Sequence, residues 1–128
     1  MTDLSDTPTD VHGYYIASIR HTQKQHRYIT FWRPENAGYC WPLSWAGEYT
    51  PEQVREQFAY YNSERDMAVP VDAVKRFALP PAPGDVDNDA GPVVPNNPAI
   101  WHALRAAQPT LAAIDAELSR RAKENDHE

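Results

Sequence analysis

Between Leu79 and Pro98 the chain carries six prolines, two glycines and three aspartates. Proline locks φ and donates no backbone hydrogen bond, so this stretch is a wrapped loop or a linker and not a regular element. Ordered structure has to come from the chain on either side of it. A length of 128 residues is one domain's worth of core, so the expectation is a single domain over 11–128, with the proline-rich loop at 79–98 and a helical part at 98–124. The first ten residues, MTDLSDTPTD, hold one large apolar side chain after Met1 and three acids, too little to offset ordering entropy, and read as a frayed tail.

Two stretches rich in aromatic and β-branched residues, GYYIASIR and RYITFW, flank the polar HTQKQH and predict a hairpin with a long basic loop. In the first strand Tyr15, Ala17 and Ile19 share one face and Tyr14, Ile16 and Ser18 the other, so both faces carry apolar content. The clearer core face is Ile19 with Ile29 and Phe31. RPENAG then makes a turn through Pro34, Asn36 and Gly38. The short YCWPL makes a third strand that Pro42 confines to an edge or ends. These three strands predict an antiparallel meander.

Thr50-Pro51-Glu52-Gln53 is a helix start: an N-cap threonine, proline at the first helical position and glutamine at the third, the capping-box pattern. Val54, Phe58 and Tyr61 then form an apolar stripe that faces the sheet, and the helix ends near Asn62. Residues 67–70 read as a short extended entry to two helical turns in which Val71, Val74 and Phe77 or Ala78 point inward. Asn97-Pro98 caps a further helix with Ile100, Trp101 and Leu104 on one stripe. After Pro109, Leu111, Ile114 and Leu118 mark a terminal helix with a narrow apolar stripe. The fold class expected is α+β: a three-stranded antiparallel meander backed by a helix, a proline-rich wrap, and one or two C-terminal helices.

The net charge is −6, and its distribution matters more than its total. Between Val11 and Pro34 stand Arg20, Lys24, Arg27 and Arg33 with no acid, while from Glu35 to Asp72 seven acids face Arg55 and Arg65. A dipolar surface of this kind can steer a charged partner. The acidic total argues against general coating of nucleic acid, since phosphate attraction depends on clustered Lys and Arg. The four basic residues nonetheless define an alternative, a nucleic-acid module on the hairpin at 20–33. A polar, acidic start and the absence of any apolar run of roughly 18 residues predict a cytoplasmic protein without a membrane span.

Little in the chain points to catalysis. Cys40 is the one cysteine, so no intramolecular disulfide or Cys-only zinc site is available, and His12, His21 and His26 lack zinc-ligand spacing around it. Asp85, Asp87 and Asp89 resemble the front of a calcium loop, but Ala90 stands at the turn glycine and Asn96 where the bidentate acid belongs. No nucleophile signature or glycine-rich phosphate loop occurs. No cofactor is expected, and a small metal-dependent enzyme is the third functional reading.

Aromatic residues are the chain's anomaly. Trp32, Trp41 and Trp45 stand close together with Tyr28, Phe31, Tyr39 and Tyr49, more ring area than one face of a three-stranded sheet covers. Large rings can fill a small core. They also concentrate binding energy at interfaces, so Trp32, Trp41, Trp45, Tyr39 and Tyr49 are the candidate interface residues.

The run TFWRPENAGYCWPLSWAGEYT, through Trp32, Arg33, Pro34, Gly38, Tyr39, Ala46, Gly47 and Tyr49, resembles a pattern in small accessory proteins of phages, prophages and other mobile elements. Asp89 to Asn96 extends it, and about a third of the chain is covered. The resemblance brings no established activity and no catalytic residue. It implies a non-catalytic factor that binds a host protein, such as an inhibitor of a restriction or CRISPR complex. Gly38, in the WRPENAG turn, and Gly47, in the WAGEYTPEQV strand-to-helix junction, are expected at backbone angles that suit glycine.

Overall fold

The computed structural model describes residues 13–86 and 90–126. The tail at 1–10, His12, Asp87 and Asp89 lie outside the described residues. Strand β1 (Tyr14–Ser18) is buried at all five positions, as its apolar content on both faces requires. β2 (Thr30–Trp32) runs antiparallel to it, with Phe31 opposite Ala17. β3 (Tyr39–Cys40) stops short of Pro42 and lies antiparallel along β2, at the sheet edge.

The sheet has four strands and not three. β4 (Asp66–Pro70), expected only as an extended entry, pairs antiparallel with the far side of β1 over five residue pairs, from Tyr14 opposite Pro70 to Ser18 opposite Asp66. The strand order is β3-β2-β1-β4, so the meander acquires a closing strand and β1 becomes central. Buried backbone donors and acceptors on β1's second edge need partners, and the apolar Met67–Val69 supplies them. β1 and β2 pair at only two positions. Beyond these the chain at 47–49 takes over: Gly47 N–H donates to the Trp32 carbonyl at 3.0 Å, and Tyr49 and Tyr14 exchange backbone bonds of 2.7 and 2.8 Å.

α1 (Pro51–Glu56) begins with the full capping box, Gln53 N–H donating to Thr50 Oγ1 at 3.1 Å and Thr50 N–H to Gln53 Oε1 at 2.8 Å. The expected continuous helix breaks at Gln57, whose φ of −128° and ψ of 49° are not helical, and resumes as α2 (Phe58–Tyr61). α3 (Val71–Lys75) buries Val74. α4 (Pro98–Ala107) is capped by Asn97, whose side chain accepts from Ile100 N–H at 3.0 Å. α5 (Leu111–Asp126) follows Pro109.

Both faces of the sheet are covered. Tyr15, Ala17, Ile29, Phe31, Met67 and Val69 point to one core, closed by Val74 of α3, Leu104 of α4 and Val94 of the wrap, with Ile19 packed at its border. Tyr14, Ile16, Trp32 and Ala68 point to the other, closed by Val54 of α1, Tyr61 of α2 and Ile114 of α5, with Phe58 and Leu118 at its margin. Leu111, counted in the α5 stripe, is exposed instead. The architecture is α+β, an antiparallel sheet between two helical layers. The proline-rich segment wraps closely: Leu79 and Val93 exchange backbone hydrogen bonds of 2.9 and 2.8 Å, and Val93 is fully buried.

A candidate binding surface along the β3 edge

The five aromatic residues singled out in the sequence divide between core and surface. Trp32 is buried, and its indole N–H donates to Asp66 Oδ1 at 2.9 Å across 34 residues of sequence. Tyr49 is buried as well. Its hydroxyl donates to the Arg33 carbonyl at 2.6 Å and accepts from Asn36 N–H at 2.9 Å, while Tyr61 donates to Asn36 Oδ1 at 3.0 Å. Those bonds hold the RPENAG turn, in which Glu35 and Asn36 both sit in the left-handed region with φ of 59° and 57°. Both buried rings therefore serve as supports behind the surface. Trp41 is half-buried, its N–H donating to Thr30 Oγ1 at 3.1 Å and its ring edge-to-face with Tyr28 and His26.

Tyr39 and Trp45, each 39% exposed, remain for an interface, and Tyr60, 50% exposed, joins them. Tyr60 lies outside the 28–49 aromatic cluster from which the sequence candidates come, and the fold brings it against Trp32. These rings are held from behind. The Arg33 guanidinium lies over Trp45 at 5.1 Å and its Nε donates to the Tyr39 carbonyl at 3.0 Å. His21 stacks on Tyr39 with centroids 4.0 Å apart, and Trp32 meets both Tyr39 and Tyr60 edge-to-face at 5.4 and 5.8 Å.

Beside these rings opens a cleft of about 440 Å³. The hydrogen-bonded pair of Trp32 and Asp66 forms its buried base, and Tyr39, His21 and Arg20 line it from β3 and the end of β1. Tyr60, Glu64 and Arg65 line it from α2 and the turn into β4. A second depression of about 480 Å³ near Tyr15 holds Glu48 and Lys75 but none of the exposed rings.

The four hairpin bases do not converge. Arg27 pairs with Asp85 at 3.3 Å, Arg33 is held over Trp45, Lys24 is exposed on the loop, and Arg20 lines the cleft. Arg20 is instead joined by Arg65, whose carbonyl accepts from Arg20 N–H at 3.0 Å. Charge counting along the chain assigned Arg65 to the acidic segment, and only the β1–β4 pairing brings it here.

Asp85 accepts from the Tyr28 hydroxyl at 2.7 Å and from Arg27, so its carboxylate is engaged in tying the wrap to β2's flank. Among the described residues no group of three or more His, Cys, Asp or Glu side chains converges as a metal site would require. Cys40 is buried, its Sγ lies 3.6 Å from the Pro42 carbonyl, and burial raises its pKa to about 11. A thiol so held is a poor nucleophile near neutrality. No helix among the described residues is long and apolar enough to cross a membrane. No family model, curated protein or solved structure matches the chain.

Proposed function

We propose that this protein is a non-catalytic binding module that docks on another protein through the aromatic edge formed by Tyr39, Trp45 and Tyr60. The observation that carries the reading is three large exposed rings already held by His21, Arg33 and Trp32. Trp, Tyr and Arg dominate interface hot spots, and rings fixed beforehand lose little freedom on docking. The resemblance of the WRPENAGY and WAGEYT segments to mobile-element accessory proteins supports a host protein as the partner, with a restriction or CRISPR complex as the class. That step is by analogy with similar small proteins.

Pull-down from bacterial host lysate with the wild type, Tyr39→Ala and Trp45→Ala tests it. Each substitution is expected to weaken capture of the same partner by about 30-fold, the level of a 2 kcal/mol hot spot. Capture that both variants retain in full refutes the surface. The nucleic-acid alternative rests on Arg20, Lys24, Arg27 and Arg33, and Arg27 is already paired with Asp85. It would reveal itself as sequence-independent oligonucleotide binding with a log-log salt slope of about −3 to −4.

A further inference from the structure

We infer that the cleft over Trp32 and Asp66 is a nucleotide site with guanine as its preferred base. Asp66 is 8% exposed and has one side-chain hydrogen bond, from the Trp32 indole to Oδ1. Its Oδ2 has no partner among the described residues, although the side chain lines the cleft. A carboxylate oxygen that meets no protein donor, on a side chain lining the cleft, is available to accept from a ligand that brings N–H groups to it. The rest of the cleft limits what else such a ligand must be. Tyr39 and Tyr60 offer exposed rings on which a planar group can stack. Arg20 and Arg65, neither ion-paired among the described residues, both line the cleft and are joined by a backbone hydrogen bond, so they suit an anion. Glu64, exposed at the rim, is an acceptor for sugar hydroxyls.

A planar donor joined to a polyol and an anion is a nucleotide, and the volume of about 440 Å³ lies in the range of small-ligand pockets. The choice of base follows from its hydrogen-bonding edge. Guanine presents two adjacent N–H donors to a carboxylate. Adenine and cytosine place a ring acceptor beside their amino group, and uracil flanks its single N–H with two carbonyls, so each of these sets a lone pair against the carboxylate. A simple cation, such as a lysine side chain, is disfavoured by Arg20 and Arg65. The cleft shares Tyr39 and Tyr60 with the proposed docking edge, but Asp66, Arg20 and Arg65 play no part in that reading and Trp45 lies outside the cleft.

Calorimetric titration of the full chain with GMP, IMP, AMP and guanosine tests it. Saturable GMP binding is expected, about 10-fold tighter than IMP, which lacks the 2-amino group, and at least about 10-fold tighter than AMP. Guanosine is expected to bind about 10-fold more weakly than GMP, a difference that disappears in the Arg20→Ala/Arg65→Ala double variant. Tyr60→Ala, at an exposed position, should lower GMP affinity by about 10-fold through lost stacking. Asp66→Asn keeps an oxygen for the Trp32 N–H and replaces the free oxygen with an amide donor, so it should reverse the preference between GMP and AMP, which loss of packing alone would not do. Single strands AAGAA and AAAAA separate the sources. A strand AAGAA held over 10-fold more tightly than GMP points to an unpaired guanine in RNA, and equal affinity points to the free nucleotide. Trp45→Ala should leave GMP binding unchanged even if it abolishes partner capture. No saturable GMP binding, or binding that Tyr60→Ala and Asp66→Asn both leave intact, overturns the inference.

Discussion

Single side chains here carry roles that depend on what faces them. Trp32 is a ring in the core and also the donor to a buried carboxylate. Trp32→Phe keeps most of the ring area and removes the N–H, leaving Asp66 with no side-chain hydrogen bond, and is expected to lower stability by about 2 kcal/mol, read from the urea midpoint. Thr50→Ala removes one half of the capping box and should cost about 1 kcal/mol in the same measurement. The two turn glycines differ in kind. Gly38, at φ +111°, needs a backbone conformation that other residues rarely adopt. Gly47 does not: a Cβ there would lie 2.7 Å from Pro34 Cα and 2.9 Å from the Tyr49 ring, so close approach is what requires glycine. Both were expected to serve backbone angles, because a contact with Pro34 thirteen residues back leaves no mark in the local sequence.

At the scale of elements, periodicity identified the inward faces well where the helix is near its layer's centre and less well at its ends. In α5, Ile114 is fully buried against the second core while Leu111, three residues earlier, is 42% exposed. Ile114→Ala is therefore expected to cost about 2 to 4 kcal/mol and Leu111→Ala less than about 0.5 kcal/mol, and equal losses in thermal unfolding would show that α5 docks on a different face. The break at Gln57 also has a neighbour-based cause. α2 is followed by Asn62, whose Oδ1 accepts from Ala68 N–H at 3.1 Å and from Gln108 Nε2 at 2.7 Å, tying that segment to β4 and to the end of α4. A straight continuation of α1 has no such ties written into residues 50–62.

At the scale of the molecule, two cores on opposite sides of one small sheet bury several groups that ionise only at high pH. Burial, with the nearby Glu48 carboxylate, raises Tyr15 from the usual 10.0 to about 12, and burial raises Cys40 from 9.0 to about 11. Tyr14 and Tyr49 are raised in the same direction, chiefly by burial. Each group keeps its proton longer when folded than when unfolded, so its contribution is fully present below the unfolded value and is lost as pH rises through the folded one. Stability should hold up to about pH 9 and fall between there and about 12. Tyr15→Phe should flatten the upper part of that fall, and an unchanged alkaline transition would remove Tyr15 as a contributor.

Features set by a few neighbouring residues can be read along the chain. Thr50 and Gln53 cap α1, Asn97 caps α4, Pro42 ends β3, Gly38 closes its turn, and Ile29 and Phe31 share a face because strand geometry alternates. Each of these depends on backbone angles and hydrogen bonds inside one turn of chain. That β4 pairs with β1, that Trp32 is inside and Tyr60 outside, and that Arg65 is bonded through its backbone to Arg20 all follow from packing between distant segments. Burial of a ring or pairing of a charge depends on residues far away in sequence, as Asp66 is from Trp32, and hydrophobicity along the chain does not say which distant segment will arrive to satisfy it.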